Sequence, residues 1–250
     1  MKTHLLPLLL AAMFVSTALR ADDKVDDIFK TYRFGLYVGP TFNSLRPTSS
    51  TFENYTITRN GGNVGFSFGL TADYNINDRY TLFSGVSLDW RGGGINARYD
   101  TTKTLDVDYV KRSNIVYRHQ YLTVPLGLKM KATEFDKFKI FAQTGFDVAI
   151  LLSNRGTTDI TKNDNSKRTD SEMINLTKEG VAKSWPINFG WHIGPGVEYD
   201  LNGKNSVFLS ILYRNGFIDA TRPQMNTAGF KFSDGNVRSN TVAIRIGYFF

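Results

Sequence analysis

The chain has 250 residues and no cysteine, which excludes a disulfide framework, a lipid-bearing cysteine and a thiol nucleophile. Its length suits one large β domain as well as two small ones, and its formal charge of +7 marks it as basic. The mean hydropathy is that of a water-soluble chain, and past residue 21 no apolar run is long enough for a transmembrane helix.

Met1-Lys2-Thr3-His4 is a short basic start, Leu5 to Val15 an apolar run, and Ser16-Thr17-Ala18 or Leu19-Arg20-Ala21 a small-residue exit. This pattern predicts a secretory signal peptide over 1–21. Cleavage after Ala21 removes Lys2 and Arg20 and leaves a charge of about +5. Residues 22–33 form a short charged lead-in, and one domain over 34–250 follows.

The first predicted strand is Phe34-Gly35-Leu36-Tyr37-Val38-Gly39, with Phe34, Leu36 and Val38 on one face and Pro40 marking where it leaves the ladder. A polar segment from Asn43 to Asn63 separates it from the second strand. There Val64, Phe66, Phe68, Leu70, Ala72, Tyr74 and Ile76 face one way, and Gly65, Ser67, Gly69, Thr71, Asp73 and Asn75 the other. That length exceeds the usual globular strand and fits a tilted bilayer crossing of roughly 9–11 residues. Asn77-Asp78 is a tight turn. In the third strand Tyr80, Leu82, Val86, Leu88 and Trp90 oppose Thr81, Gly85, Ser87, Asp89 and Arg91. The polar stretch Gly92 to Gln120 alternates weakly (Val107, Tyr109; Ile115, Tyr117) and reads as the hairpin continuing beyond a membrane.

The fourth strand, Tyr121 to Met130, sets Leu122, Val124, Leu126, Leu128 and Met130 against Thr123, Gly127 and Lys129. A charged turn around Glu134 to Lys137 leads to the fifth, where Ile140, Ala142, Phe146, Val148 and Ile150 oppose Lys139, Gln143, Gly145 and Asp147. A long polar loop is predicted over 153–184. In the sixth strand Ile187, Phe189, Trp191, Ile193, Val197 and Tyr199 oppose Asn188, Gly190, His192, Gly194, Gly196 and Glu198. Asn202-Gly203 is a hairpin signal. The seventh strand puts Val207, Leu209, Ile211 and Tyr213 opposite Ser210 and Arg214, and a loop from Gly216 to about Arg238 precedes the last. In that strand Val242, Ile244, Ile246, Tyr248 and Phe250 alternate with Thr241, Ala243, Arg245 and Gly247; Phe249 breaks the pattern. Pro125 and Pro195 each remove a ladder donor inside a strand, which requires a bulge or a local break.

Two regularities separate a soluble β-sandwich from a membrane barrel. Connections alternate long and short, as extracellular loops and periplasmic turns do, and an even count of about eight strands puts both termini on the short-turn side. The aromatics also sort by strand end. Tyr74, Tyr80, Phe138, Tyr199, Tyr248 and Phe250 fall outward at the periplasmic edge; Phe42, Trp90 and Tyr213 fall outward near the other. The fold class is therefore all-β: a transmembrane up-and-down antiparallel β-barrel in the bacterial outer membrane, with residues 22–33 a periplasmic lead-in. Its closing strand is the expected signal for the barrel-assembly machinery.

The inward polar candidates are Asp73, Lys129, Lys139 and Glu198 toward the periplasm, Asp89, Asp147 and Arg214 toward the outside, and Arg245 and His192 nearer the middle. Opposite signs at both depths predict a salt-bridged plug, with a polar path for a small solute as the alternative. His192 reads as a lumen hydrogen-bonder and His119, between Arg118 and Gln120, as a rim residue; neither has a spacing-defined catalytic partner. No metal cluster, phosphate loop or dinucleotide fingerprint is present, so no cofactor is expected. The stretch Gly92 to Gln120 leans basic, which suits lipopolysaccharide phosphates, while the loops offer surface to protein partners. Basic charge spread over the rims with no aromatic platform does not suit nucleic acid.

The opening strand Phe34-Gly35-Leu36-Tyr37-Val38-Gly39, the segment Tyr121-Leu122-Thr123-Val124-Pro125-Leu126 and the aromatic end resemble the PorT-type outer-membrane β-barrel family over most of the mature chain. The resemblance makes Pro125 a family feature, while Thr123 stands where members often carry an acidic residue. It implies a non-enzymatic structural or assembly component, accessory to type IX protein secretion. A small channel or solute-binding barrel is the alternative, and an outer-membrane lipid-modifying enzyme using His119 or His192 is the third reading.

Overall fold

The computed structural model describes residues 32–52, 54–100, 110–222, 225–227, 230–232 and 236–250. The expected signal peptide, nearly all of the lead-in and the alternation at Val107 and Tyr109 lie outside these. The strands, in chain order, are β1 (Tyr32–Pro47), β2 (Thr51–Phe52), β3 (Tyr55–Arg59), β4 (Gly62–Asn75), β5 (Tyr80–Tyr99), β6 (Val110–Phe135), β7 (Phe138–Lys162), β8 (Lys167–Asn175), β9 (Ile187–Asp200), β10 (Ser206–Gly216), β11 (Met225–Thr227), β12 (Phe230–Phe232) and β13 (Val237–Phe249).

Among the described residues eight antiparallel strands, β1, β4, β5, β6, β7, β9, β10 and β13, pair each with the next, and β13 pairs back onto β1 to close a barrel. Closure leaves no strand edge in the lipid, where an unpaired backbone group costs several kcal/mol. Period-two alternation then sends one set of side chains outward and the other into the lumen. Phe34, Leu36, Phe66, Leu70, Leu126, Phe146, Ile193 and Ile246 stay exposed on the outside, while Asp73, Asp89, His192 and Arg245 are buried within.

The prolines act on the ladder without shifting it. Pro125 keeps its pairing to β7, but the β5–β6 pairing skips from Ser84↔Leu126 to Ser87↔Thr123 in unchanged register. Pro195 likewise opens a gap between Ser210↔Gly196 and Tyr213↔Ile193. The break is local and involves no bulge. Pro40 does the same between Val38↔Ile246 and Thr41↔Ala243, so β1 does not end there but runs on to Pro47. A missing donor interrupts one ladder only, and the opposite ladder holds the strand in place.

Two other boundaries differ from the sequence reading. Arg33, assigned to the lead-in, belongs to β1 and reaches into the lumen. The predicted polar loop over 153–184 is largely sheet: β7 continues to Lys162 and turns into β8. Its residues are polar because they stand in water, not because they are irregular.

β5, β6 and β7 have 20, 26 and 25 residues, far beyond a bilayer crossing of roughly 9–11. Their outer halves rise above the membrane as a sheet flanked by β3 on β5 and β8 on β7. This extension has its own apolar core, in which Leu45, Ile57, Ile95, Tyr117, Ile160, Leu176 and Val237 are buried together. The segment from Leu176 to Ser184 folds over the barrel mouth, where Ser184 bridges Thr221. Each buried Leu or Ile contributes about 1.5–3 kcal/mol to holding this dome shut.

Gly194 packs against the neighbouring strand, where an added Cβ would lie 1.9 Å from the Ile211 carbonyl oxygen. Gly194→Ala is expected to destabilise the barrel by about 1–3 kcal/mol, read as a lower urea midpoint of the vesicle-inserted protein.

Candidate functional site

The lumen is built in layers. In its outer half Asp89 is fully buried and accepts from Arg91 Nη2 at 2.7 Å, Arg214 Nη1 at 3.0 Å and Ser67 Oγ at 2.5 Å. Arg214 also reaches Asp147 through Nε at 3.4 Å, and His192 Nδ1 lies 3.2 Å from Asp147 Oδ1. Five different strands, β4, β5, β7, β9 and β10, supply these side chains, so the cluster ties the outer half of the barrel across its bore. Thr123, which stands where the resemblance places an acidic residue, accepts from Arg91 at 3.1 Å. Removing one member of such a buried set costs about 3–5 kcal/mol, because its partner is left charged and unpaired.

The layer beneath is aromatic. Phe83, Phe141, Phe208 and Phe249 all point inward, and each lies opposite a glycine of the neighbouring strand: Gly127, Gly196, Gly247 and Gly35. A Cβ on any of these glycines would come within 2.2 to 2.8 Å of the facing ring. The inward glycines are therefore the spaces the rings occupy, which is how a narrow bore accepts four phenylalanines. Arg245 lies 4.2 Å over the Tyr37 ring, and Lys129 Nζ lies 4.9 Å from the Phe249 ring centre. A small cavity remains beside these groups; the space open to the centre of a water-sized sphere is about 20 Å³.

At the periplasmic end Lys129 pairs with Asp73 at 2.5 Å, and Arg33 with Glu198 at 2.6 Å, where Ser206 also donates to Glu198 at 2.8 Å. Lys139 is half-buried and stands opposite Glu198 in the ladder. The outward aromatics gather toward the two ends of the barrel wall. Tyr74, Tyr80, Phe138, Tyr199 and Phe250 are exposed and Tyr248 half-buried at the periplasmic edge, with ring centres 4.8 Å apart for Phe138 and Tyr199. At the outer edge Trp90 stacks on Phe68 at 6.0 Å and Tyr213 meets Trp191 at 5.6 Å.

His119 is not a rim residue. Its neighbour Arg118 is exposed above the lipid-facing band, but His119 itself turns inward and is 2% exposed at the base of the dome. Its Nε2 lies 2.9 Å from Ser184 Oγ, and Asn154 faces it across the β6–β7 ladder. Ser184 comes from the segment that folds over the mouth, a contact invisible to local spacing. Burial pushes the His119 imidazole down to about 4, against a smaller upward pull from Asn154. A neutral, weakly basic histidine holding a buried serine suits a latch better than a general base, which works best with a pKa near the operating pH. Among the described residues no group of three or more acidic or histidine side chains could hold a metal.

The layers combine residues the sequence named with some it did not. Asp89, Asp147, Arg214 and His192 meet in one cluster, so His192 belongs to the outer layer and not to the middle with Arg245. Arg33, Tyr37, Phe83, Phe141, Phe208 and Phe249 were absent from the inward candidates. Their alternation was present, but an aromatic beside outward apolar neighbours, as in Leu36-Tyr37-Val38, carries no polarity contrast to mark its face.

His119 keeps its full contribution to the dome above its free value of 6.5. Below that the unfolded chain takes up a proton that the folded dome refuses, so stability falls as pH drops toward 4, by roughly 2–3 kcal/mol. Hydrogen-exchange protection at Tyr117 and Gly156 is expected to decline across this window in the wild type and to stay flat in His119→Gln.

The outer membrane protein beta-barrel domain family matches residues 20–222 of the chain. No curated protein matches it. Among solved structures it is similar to Ail, the attachment invasion locus protein of Yersinia pestis, at 12% identity over 88% of this chain and 99% of that one, with a TM-score of 0.39. It is similar to the outer membrane protein OprG from Pseudomonas aeruginosa at 13% identity, over 88% and 96%, with a TM-score of 0.45. To the outer membrane protease OmpT from Escherichia coli the figures are 7%, 88%, 96% and 0.38. With the family match covering most of its length and its strands closed into a lipid-facing ring, the chain belongs to the outer membrane protein beta-barrel domain family and resides in the outer membrane.

Proposed function

We propose that this protein is a non-enzymatic scaffold of the outer membrane, exported by the signal peptide over 1–21, whose work is done by the dome it holds above the bilayer. The observation that carries this reading is the filled bore. A salt-bridged layer, an aromatic layer and an apolar dome core lie in series, and the cavity between the rings has room for a single water-sized occupant. A pathway for solutes would need these layers to part, at the cost of buried ion pairs. The dome, by contrast, presents a folded sheet with β8 along its edge to whatever approaches from outside. The resemblance to PorT-type barrels makes the type IX secretion assembly the first partner to test, with insertion by the barrel-assembly machinery through β13.

Lipopolysaccharide is the lipid partner this reading implies. Arg118 and Arg155 are exposed, outward and directly opposite each other across β6 and β7. Like charges so placed repel, and a phosphate between them turns the repulsion into two charge-assisted bonds.

Purified protein in planar bilayers is expected to give no steady conductance; ion-selective steps from the wild type would overturn the scaffold reading in favour of a channel. The double substitution Arg118→Ala/Arg155→Ala is expected to lower lipopolysaccharide retained through purification several-fold, measured by mass spectrometry, while Arg98→Ala leaves it unchanged.

A further inference from the structure

We infer that the cavity beside Arg245 is a binding site for one small monoatomic anion of the halide class, bound within the lumen. The first ground is charge. The ionised groups drawn into the bore are Arg33, Arg91, Lys129, Arg214 and Arg245 against Asp73, Asp89, Asp147 and Glu198. Each carboxylate is matched: Asp73 with Lys129, Glu198 with Arg33, and Asp89 and Asp147 with Arg91 and Arg214. One positive charge is left over, and it is Arg245.

The second ground is geometry. Arg245 is 5% exposed, and among the described residues its Nε and Nη2 have no hydrogen-bond acceptor. Its contact is with the Tyr37 ring, which covers a face of the guanidinium and leaves the in-plane donors free. Ser210, its direct partner across the β10–β13 ladder, is 2% exposed, and its hydroxyl also lacks a partner. Both side chains line the same cavity, together with Lys129 and Gln143. Guanidinium N–H groups and a hydroxyl directed at one space, with a second cation in the wall and no carboxylate there, suit an anion. A buried guanidinium without a counter-charge is costly, and an anion in this space removes that cost.

The third ground is size. A cavity of about 20 Å³ takes one compact occupant. Phosphate, sulfate and organic acids are excluded by volume and by the phenylalanine rings around the space. The inference is independent of what the dome binds, since the site lies in the membrane-spanning half of the barrel.

Crystals grown in bromide, measured at the bromine absorption edge, test it directly. The expected result is one anomalous peak at hydrogen-bond distance from the Arg245 guanidinium and Ser210 Oγ, absent in Arg245→Met. In detergent, replacing gluconate with chloride at constant ionic strength is expected to raise the wild-type heat-modification midpoint by several degrees. Arg245→Met should lose that response and Ser210→Ala should reduce it; the latter serves if Arg245→Met does not fold. The inference is overturned if no bromide peak appears beside Arg245, if the peak persists in Arg245→Met, or if chloride shifts wild type and variants equally.

Discussion

In hydrocarbon every backbone donor and acceptor must find its partner within the protein, and the pairing of β13 with β1 is what makes that possible here. With the register Leu36↔Tyr248 and Phe42↔Val242, the last strand covers the edge that the first would otherwise expose to lipid. Closure also explains why three prolines are tolerated. Pro40, Pro125 and Pro195 each weaken one ladder while the ladder on the strand's other side stays intact. In an open sheet such a gap would sit beside a strand able to drift; in a ring the register is set from both sides.

A ring of eight strands is narrow, and the rest of the interior follows from that limit. Four phenylalanines fit because each faces a glycine on the adjoining strand. The charged groups lie above and below the rings, close enough to neutralise one another almost completely, with Arg245 the exception. What side chains fill in the membrane, an apolar core fills above it. The same three strands that wall the barrel continue into the dome, with the β6–β7 register shifting between Gln120 and Tyr121 where the two meet.

Burial also changes what a residue can do. His119 beside Ser184 has the spacing of a nucleophile and its base, yet burial keeps the imidazole neutral and poorly basic. The pair holds the segment over the mouth to the inner face of β6, which makes the lid part of the fold. Under the proposed scaffold reading, function falls to the outer surfaces, the opposed Arg118 and Arg155 and the sheet above them.

The alternation of apolar and polar residues by itself determined the strand type, their up-and-down order, their lipid-facing sides and the aromatic girdles, because a period of two and a bilayer of constant thickness are both properties of the linear chain. It likewise placed Asp73, Asp89, Asp147, Glu198 and Arg214 indoors, since an ionised group on the lipid side is too costly. Only the tertiary structure decided which of these groups meet, that Arg33 joins Glu198 while Arg245 is left over, and that Phe83, Phe141, Phe208 and Phe249 point inward. Only it decided that residues 153–162 and 167–175 are sheet and that His119 lies buried under Ser184. These depend on the register between strands and on how closely opposite walls approach, and neither is written in the spacing of residues along any one strand.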